Sequence, residues 1–220
     1  MNPAGHEATP GAWPVLTSPD AATTVAVVPH AVAARLPVRG CDLRSALQLS
    51  ATRRAEHLAG RALLRWLLAE VAGSAVAAAV IARRPGGQPY LPDRDRVAVS
   101  VSHTDGWIAA ATAVDGRPVG VDTQVPLAVG AGMLRRCCGP AAAAELAHWD
   151  ELRRHVEFAW VWTTQEACVK AAGSGLRGLP WQVPVAVSQR AGTWRGLRWV
   201  QLRDLAQVPV PVSCAVGEAA

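Results

Sequence analysis

The sequence lacks the cysteine patterns that mark a disulfide framework or a zinc site. Its five cysteines are odd in number and show no CxxC spacing, which is typical of free thiols in a reducing cytoplasm. The first residues carry neither a basic stretch nor an apolar core, so we expect no secretory signal. The most apolar run, Val71 to Ala82, is too short to span a bilayer. We therefore expect a soluble, cytoplasmic protein that does not bind membranes.

Acidic residues are in the minority, and most of the positive charge is arginine. The chain has 22 Lys+Arg against 17 Asp+Glu, a formal net charge of +5. Such a balance favours anionic partners, either nucleic acid, phosphorylated small molecules or acidic proteins. Nucleic acid is the weakest of these, because no known binding motif is present and most of the nine tryptophans fall within apolar segments. The planar guanidinium of arginine also matches a phosphate group better than the ammonium of lysine does.

The order of the predicted elements indicates an α+β fold without internal repeats. A strand is predicted at Thr23–Pro29, a helix at Ser50–Ala72, and a turn-rich loop at Arg83–Asp95. A three-stranded antiparallel meander (Val97–Ser102, Trp107–Val114, Pro118–Thr123), a helix (His155–Ala172) and three strands within VPVAVS, TWRGLRWVQL and VPVSCAV follow. Gly60, in the middle of the first helix, indicates close packing there.

One face of the second predicted helix carries an unusual row of side chains. Phe158, Trp162, Glu166 and Lys170 follow one another at intervals of four residues. The simple explanation is an aromatic anchor followed by a surface Glu–Lys pair, which stabilises a helix by ~0.2–0.5 kcal/mol. The alternative is that Glu166 and Lys170 face a reaction, and the choice depends on the rest of the chain.

Other polar residues at element ends favour the second explanation. Asp122 ends a strand in VGVDTQ and, with Glu166 and the nearby Gln124, would offer the oxygen ligands that Mg²⁺ prefers. Lys170 could act as a base or hold a phosphate. The backbone of a Ser–His turn at Ser102 can receive a phosphate. The chemistry indicated is Mg²⁺-assisted phosphoryl transfer.

Five segments extend this pattern over most of the chain between residues 53 and 176. They are RRAEHLAGRALLR (53–65), GGQPYLP (86–92), VSVSHTDGWIAAA (99–111), VGVDTQ (119–124) and FAWVWTTQEACVKAAGSGL (158–176). Each segment alone is weak. In this order and spacing the chain resembles a phosphopantetheinyl transferase of the surfactin and enterobactin-synthetase type.

The resemblance implies a reaction, a fold and partners. Such enzymes transfer the 4′-phosphopantetheine arm of coenzyme A to a serine of an apo acyl or peptidyl carrier protein and release adenosine 3′,5′-bisphosphate. Their fold has two similar α/β lobes, related by a pseudo-twofold axis, with the ligand in the cleft between them. We expect lobes at residues 1–115 and 116–220, a mobile leader at residues 1–20, an acidic carrier and a monomer. Fatty-acid, polyketide or peptide synthesis could be served.

The resemblance also implies roles for residues. Asp122 and Glu166, with Gln124 in the middle position, would hold Mg²⁺. Lys170 matches a lysine that takes part in removing the proton from the serine, directly or through Glu166. The residues expected to contact coenzyme A are Arg54, Arg61, Gln88, Pro89, Ser102 and His103.

Each expectation has a plainer alternative. His103 could hydrogen-bond only its own turn, and Asp122 could be an ordinary strand-end aspartate. The arginines of the first helix could form a solvated face, and for Arg65 both explanations remain open. Cys168 is expected to be a packed thiol.

Three departures from the family pattern concern charge. Gln124 stands where relatives commonly carry a glutamate, and Gln88 and Gln165 stand where they carry a lysine or arginine near a phosphate. These amides leave open a second hypothesis, a degenerate member that binds coenzyme A or a carrier protein without transfer or that serves other chemistry.

Overall fold

The computed structural model describes residues 14–205 and 207–218 of the chain. Its strands are β1 (Val15–Asp20), β2 (Thr23–Pro29), β3 (Ala82–Arg83), β4 (Pro89–Tyr90), β5 (Ala98–Thr104), β6 (Trp107–Ala113), β7 (Val119–Thr123), β8 (Ala191–Trp194), β9 (Leu197–Gln201) and β10 (Val212–Gly217). Its α-helices are α1 (His30–Ala33), α2 (Gly40–Ser45), α3 (Ala51–Ala72), α4 (Ser74–Ala77), α5 (Ala131–Cys138), α6 (Pro140–Ala147) and α7 (Glu151–Ala171).

Two four-stranded antiparallel sheets share a core between their facing sides. The strand orders are β1-β2-β6-β5 and β7-β10-β9-β8. Alternation along β2 sends Ala26 and Val28 toward α3, and Val25 and Val27 toward the second sheet. The second sheet buries its other face against α7. Each sheet therefore carries one long helix on its outer side.

The predicted meander is wrong in its third strand. β5 and β6 form the expected hairpin, but β7 pairs its backbone with β10 in the other sheet. β7 still runs beside β5, but side-chain hydroxyl groups of β5, rather than its backbone carbonyls, accept the hydrogen bonds there. The hydroxyls of Ser100, Ser102 and Thr104 accept the backbone N–H groups of Val121, Thr123 and Val125. This seam of side chains joins the two sheets.

Three other predictions need correction. Residues 1–13 lie outside the described residues, but residues 15–20 of the predicted leader form β1, because their backbone pairs with β2. The segment 183–188 is not a strand, although Val183 and Val185 are buried. Pro184 cannot donate to a strand ladder, so the segment fills the core without pairing. The stretch 193–202 holds one hairpin, β8–β9, rather than one strand.

The two long helices agree with the predictions in type and nearly in length. α3 begins at Ala51, one residue after the predicted start, and β2 has the predicted bounds. α7 begins at Glu151 rather than His155, because the side chain of Asp150 accepts the Arg153 N–H at 2.9 Å and caps the helix. A Cβ on Gly60 would lie 2.9 Å from Val101 Cγ1, which confirms the close packing of α3 on the first sheet.

Candidate active site

Asp122 is brought to α7 by the close approach of its strand. Val119 and Val121 face the core between the sheets, so Gly120 and Asp122 face the helix. A Cβ on Gly120 would overlap the carbonyl of Ala167 and lie 2.5 Å from the backbone nitrogen of Ala171. Only glycine permits this contact, and it places the buried carboxylate of Asp122 against the last turns of α7.

Lys170 contacts Asp122 directly. Its Nζ donates to Asp122 Oδ1 at 2.6 Å and to the Val121 carbonyl at 3.2 Å. The Asp122 side chain is 9% exposed and that of Lys170 is 27% exposed, so the ammonium also reaches the solvent. Lys170 is the only lysine in the sequence. The row on α7 therefore ends in an ion pair between elements, and not in a surface Glu–Lys pair.

Glu166 lies one helical turn before Lys170, on the same face of α7. Its Oε1 is buried and has no hydrogen-bond partner among the described residues. Burial, and after it the charge of Asp122, raises the pKa of Glu166 to about 7, while Lys170 acts in the opposite direction. This carboxyl group can therefore exchange a proton near neutral pH.

Ser102 supports Asp122 from the first sheet. Its buried hydroxyl donates to Asp122 Oδ1 at 2.6 Å and accepts the Thr123 N–H at 3.4 Å. The hydroxyl that was expected at a phosphate thus has two protein partners. It fixes one oxygen of Asp122 together with Lys170.

Gln124, Phe158 and Trp162 lie together on the surface beside this site. The Phe158 and Trp162 rings stack at 6.4 Å between centroids, and both line a hollow of about 280 Å³ with Gln124. The Gln124 amide donates to the Val125 carbonyl at 3.0 Å. Leu127 and Met133, which are 64% and 42% exposed, complete an apolar rim.

A cavity of about 440 Å³ lies over α3, with basic side chains on its wall. Three residues predicted to contact coenzyme A line it, namely Arg61, Pro89 and His103, and the other basic residues on its wall are Arg53, His57 and Arg83. Arg61 is 5% exposed, and its Nη1 is buried without a hydrogen-bond partner in the described part of the chain. Burial lowers the pKa of Arg61 to about 10, against the opposing charge of Asp42. Such a guanidinium is suited to receive an anion.

His103 and Arg54 behave differently from each other. The His103 side chain is half exposed, and its Nδ1 lies 3.8 Å from Glu56 Oε2. Arg54 does not line the cavity, because its guanidinium donates to the carbonyls of Ala46, Leu47 and Leu49. One residue along a helix turns the side chain by about 100°, so Arg53 lies at the cavity instead. Contact of Arg54 with coenzyme A stays a prediction, which these three hydrogen bonds do not favour.

Gln88 and Gln165 have structural partners. Gln88 Nε2 donates to the Lys170 carbonyl at 3.2 Å and thereby holds the loop after β3 to the end of α7. Gln165 is fully buried, and its amide donates to the carbonyls of Cys137 and Val183 at 2.8 and 3.1 Å. The prediction that residue 165 lies near a phosphate is wrong, because its side chain points into the protein.

Two family models match the chain and together cover more than half of it. The 4′-phosphopantetheinyl transferase N-terminal domain matches residues 44–113, and the 4′-phosphopantetheinyl transferase superfamily matches residues 118–206. The chain belongs to the 4′-phosphopantetheinyl transferase superfamily. It is 27% identical over 119 residues to a 4′-phosphopantetheinyl transferase of Bacillus subtilis, a match that covers 54% of this chain and 52% of the relative. The chain thus matches about half the length of this curated relative.

Sequence reasoning missed three cavity residues of this transferase-family chain. Arg53 and His57 precede Arg61 by eight and four residues, which is a signal that helix periodicity could have revealed. Arg83 lies on β3 and carried no signal of its own. Within residues 14–205 and 207–218, the helices are too short or too polar to cross a membrane.

Proposed function

We propose that the chain transfers the 4′-phosphopantetheine arm of coenzyme A to a serine of an apo carrier protein in a Mg²⁺-dependent reaction, as a transferase of the surfactin and enterobactin-synthetase type. The observation that carries this proposal is the convergence of Asp122, Glu166 and Lys170 from two elements. In a member of this superfamily, that arrangement is suited to phosphoryl transfer. The second product would be adenosine 3′,5′-bisphosphate.

The proposed architecture is two similar lobes, residues 1–115 and 116–220, with coenzyme A between them. The division of the strands supports it, since β1, β2, β5 and β6 form one sheet and β7 to β10 form the other. The long helices α3 and α7 supply the arginine-lined cavity and the carboxylates, respectively. A pseudo-twofold relation between the lobes belongs to this proposal.

The residues present fit a magnesium ion that keeps several water or phosphate ligands. The described residues hold no cluster of three His, Cys, Asp or Glu side chains suited to a metal, so the protein would supply Asp122 and Glu166. Gln124, two residues beyond Asp122, would add a neutral oxygen directly or through water. Among the described residues Glu166 Oε1 is buried without a hydrogen-bond partner, so it is the oxygen that most needs a cation. Mg²⁺ bound there would neutralise charge on the pyrophosphate.

The protein must also remove a proton from the attacking serine. The serine oxygen would form a bond to the phosphorus that bears pantetheine, while the bond from that phosphorus to the oxygen of the adenosine-linked phosphate breaks. Lys170 already donates to Asp122 Oδ1 and to the Val121 carbonyl. Ionised Glu166 can accept a proton directly, so the base is Glu166 or Lys170 acting with it.

Coenzyme A and the carrier protein would approach from different sides. Arg61, His103 and Pro89 would contact the nucleotide end of coenzyme A in the cavity over α3. The apolar rim of Leu127 and Met133, next to Phe158 and Trp162, would receive the carrier. Because the chain has a net charge of +5, association with an acidic carrier would weaken as salt increases. We propose that the enzyme acts as a monomer.

Mass spectrometry of carrier proteins tests the function. An apo acyl or peptidyl carrier protein incubated with this protein, coenzyme A and Mg²⁺ should gain the mass of one phosphopantetheine arm on its serine. EDTA should stop the gain, and renewed Mg²⁺ should restore it. The same carrier with its serine replaced by alanine is the control.

The second candidate is a member that binds coenzyme A or a carrier without transfer. Its support is the neutral amide at Gln124, which leaves the site with two carboxylates. Binding of coenzyme A without mass gain on any acyl or peptidyl carrier would favour this candidate over the enzyme.

A further inference from the structure

His57 lies at the centre of a chain of hydrogen bonds that ends at Arg83. Arg83 Nη2 donates to His57 Nδ1 at 2.9 Å. On the other side of the ring, His57 Nε2 lies 2.9 Å from Ser45 Oγ, which itself donates to the Asp42 carbonyl at 2.8 Å. Arginine can only donate, so Nδ1 must accept and Nε2 must carry the proton. Each donor in the chain then has an acceptor.

The neutral imidazole agrees with its surroundings. Burial, together with the charges of Arg83 and Arg61, lowers the pKa of His57 to about 4. A protonated ring would direct an N–H at the Arg83 guanidinium, which offers no acceptor. His57 therefore acts as an acceptor for Arg83 and adds no cation to the cavity.

Arg83 needs such a support because its side chain is exposed. A free arginine on a two-stranded ribbon would sample many rotamers and would lose that freedom on binding a ligand. With its Nη2 on His57, the guanidinium is held at the wall of the cavity that Arg61 also lines. Arg61 brings a buried nitrogen without a partner among the described residues. Both residues line the same cavity, and the charge of Arg83 acts on Arg61.

We infer that His57 is a positioning residue, which holds the Arg83 guanidinium so that it binds a phosphate group of coenzyme A together with Arg61. The inference rests on the proposed function for the identity of the ligand. Asp122, Glu166 and Lys170 do not line this cavity, so the phosphate held here would be the 3′-phosphate rather than the reacting pyrophosphate. Glu56, the acidic residue on the cavity wall, lies next to His103.

Direct binding of coenzyme A, measured by calorimetry without a carrier protein, tests the role of His57. Arg83→Gln should weaken binding about 10-fold or more, as expected for one charge-assisted contact. His57→Phe, which keeps the ring but not the hydrogen bonds, should weaken it roughly 3- to 10-fold. His57→Gln should bind as the wild type does, because its amide can accept from Arg83 and donate to Ser45. Circular dichroism checks that each variant is folded.

Three further variants separate positioning from charge and from folding. Arg84→Gln removes a neighbouring cation that stacks on Tyr90 and does not line the cavity, so it should leave the affinity nearly unchanged. Ser45→Ala removes the support of Nε2 at an exposed position and should weaken binding by a few-fold even if His57→Phe fails to fold. The double variant His57→Phe/Arg83→Gln should bind no more weakly than Arg83→Gln alone.

The ligand series identifies the phosphate. If Arg83 binds the 3′-phosphate, His57→Phe should weaken coenzyme A and adenosine 3′,5′-bisphosphate but not 3′-dephospho-coenzyme A. Equal losses for coenzyme A and dephospho-coenzyme A would keep the positioning role and move it to the pyrophosphate. Wild-type affinity in folded His57→Phe and Ser45→Ala, additive losses in the double variant, or no binding of any of the three ligands to the wild-type protein would overturn the inference. Failure of transfer with binding intact would overturn only the proposed function.

Discussion

Two long helices each present a row of side chains at intervals of four residues, and the two rows differ in how their charges are completed. On α3 the row is Arg53, His57, Arg61 and Arg65, and on α7 it is Phe158, Trp162, Glu166 and Lys170. In each row one charged residue forms an ion pair, Arg65 with Asp42 and Lys170 with Asp122. In each row another residue, Arg61 or Glu166, has a buried side-chain atom without a hydrogen-bond partner among the described residues.

Arg65 and Arg61 show this difference within one helix turn. Both are 5% exposed. Arg65 bonds both oxygens of Asp42 at 2.5 and 3.1 Å and donates to the carbonyls of Ala77 and Ala79, so neither a solvated face nor a ligand contact describes it. Arg61 keeps a buried nitrogen without a partner in the described chain. Completed charges hold the fold, and incomplete ones indicate where something else binds.

The largest expected effect comes from breaking the completed pair. Asp42→Ala leaves the Arg65 guanidinium buried without its carboxylate and should lower the free energy of unfolding by about 3–5 kcal/mol. Urea unfolding measures the change. The matched control is Asp204→Ala, which removes the partner of Arg190 in an exposed pair and should cost less than about 1 kcal/mol. Similar losses in both variants would contradict the distinction.

Removing an incomplete charge should harm activity and not stability. Glu166→Gln should reduce transfer by about 10²–10³-fold if Glu166 is the base. The pKa of Glu166 is raised from 4.5 to about 7 in the folded protein, so this carboxyl group ionises more readily in the unfolded chain. The free energy of unfolding of the wild type therefore falls as pH rises from 4.5 to about 7. The variant lacks this decrease and should be the more stable protein above pH 7 without metal. Denaturation at pH 5 and pH 8 checks the sign.

Arg61→Gln should show the same pattern on α3. Without ligand the variant should be as stable as the wild type or slightly more so, because a desolvated cation is removed. Its affinity for coenzyme A should fall about 10-fold. A loss of stability comparable to that of Asp42→Ala would show instead that Arg61 is completed by the protein.

The neutral ring of His57 predicts a smaller effect of pH. Its folded pKa is about 4, against an ordinary value of 6.5, so the unfolded chain takes up a proton that the folded one refuses. Its contribution to stability is present above pH 6.5 and is lost as pH falls toward 4. The free energy of unfolding is measured against pH for the wild type and for His57→Gln. The difference between the two curves removes the effect of the carboxylates, which both proteins share. Parallel curves would mean that the ring is protonated in the folded state.

The smallest effect concerns the metal. Gln124→Glu would give the site a third carboxylate and should lower the Mg²⁺ concentration for half-maximal transfer by a few-fold. Gln207→Glu, which adds a carboxylate at an exposed position away from the site, serves as the control. An unchanged metal requirement would place residue 124 outside the coordination sphere.

Local pattern was sufficient for the two long helices, for β2 and for the β5–β6 hairpin. Helical periodicity predicted α3, α7 and the row ending in Lys170, and β-branched residues predicted β2. The five sequence segments correctly indicated the superfamily. These features depend on residues close in the chain, so their signals survive in the sequence alone.

Tertiary structure decided which partner each charge has. No local signal distinguishes Arg61 from Arg65, because the difference lies in Asp42 and in carbonyls from other elements. Nor does any local signal pair β7 with β10, or show that the absence of a Cβ at Gly120 brings Asp122 to Lys170. Burial and partner geometry arise only when distant segments pack, and these determine whether a buried charge supports the fold or awaits a ligand.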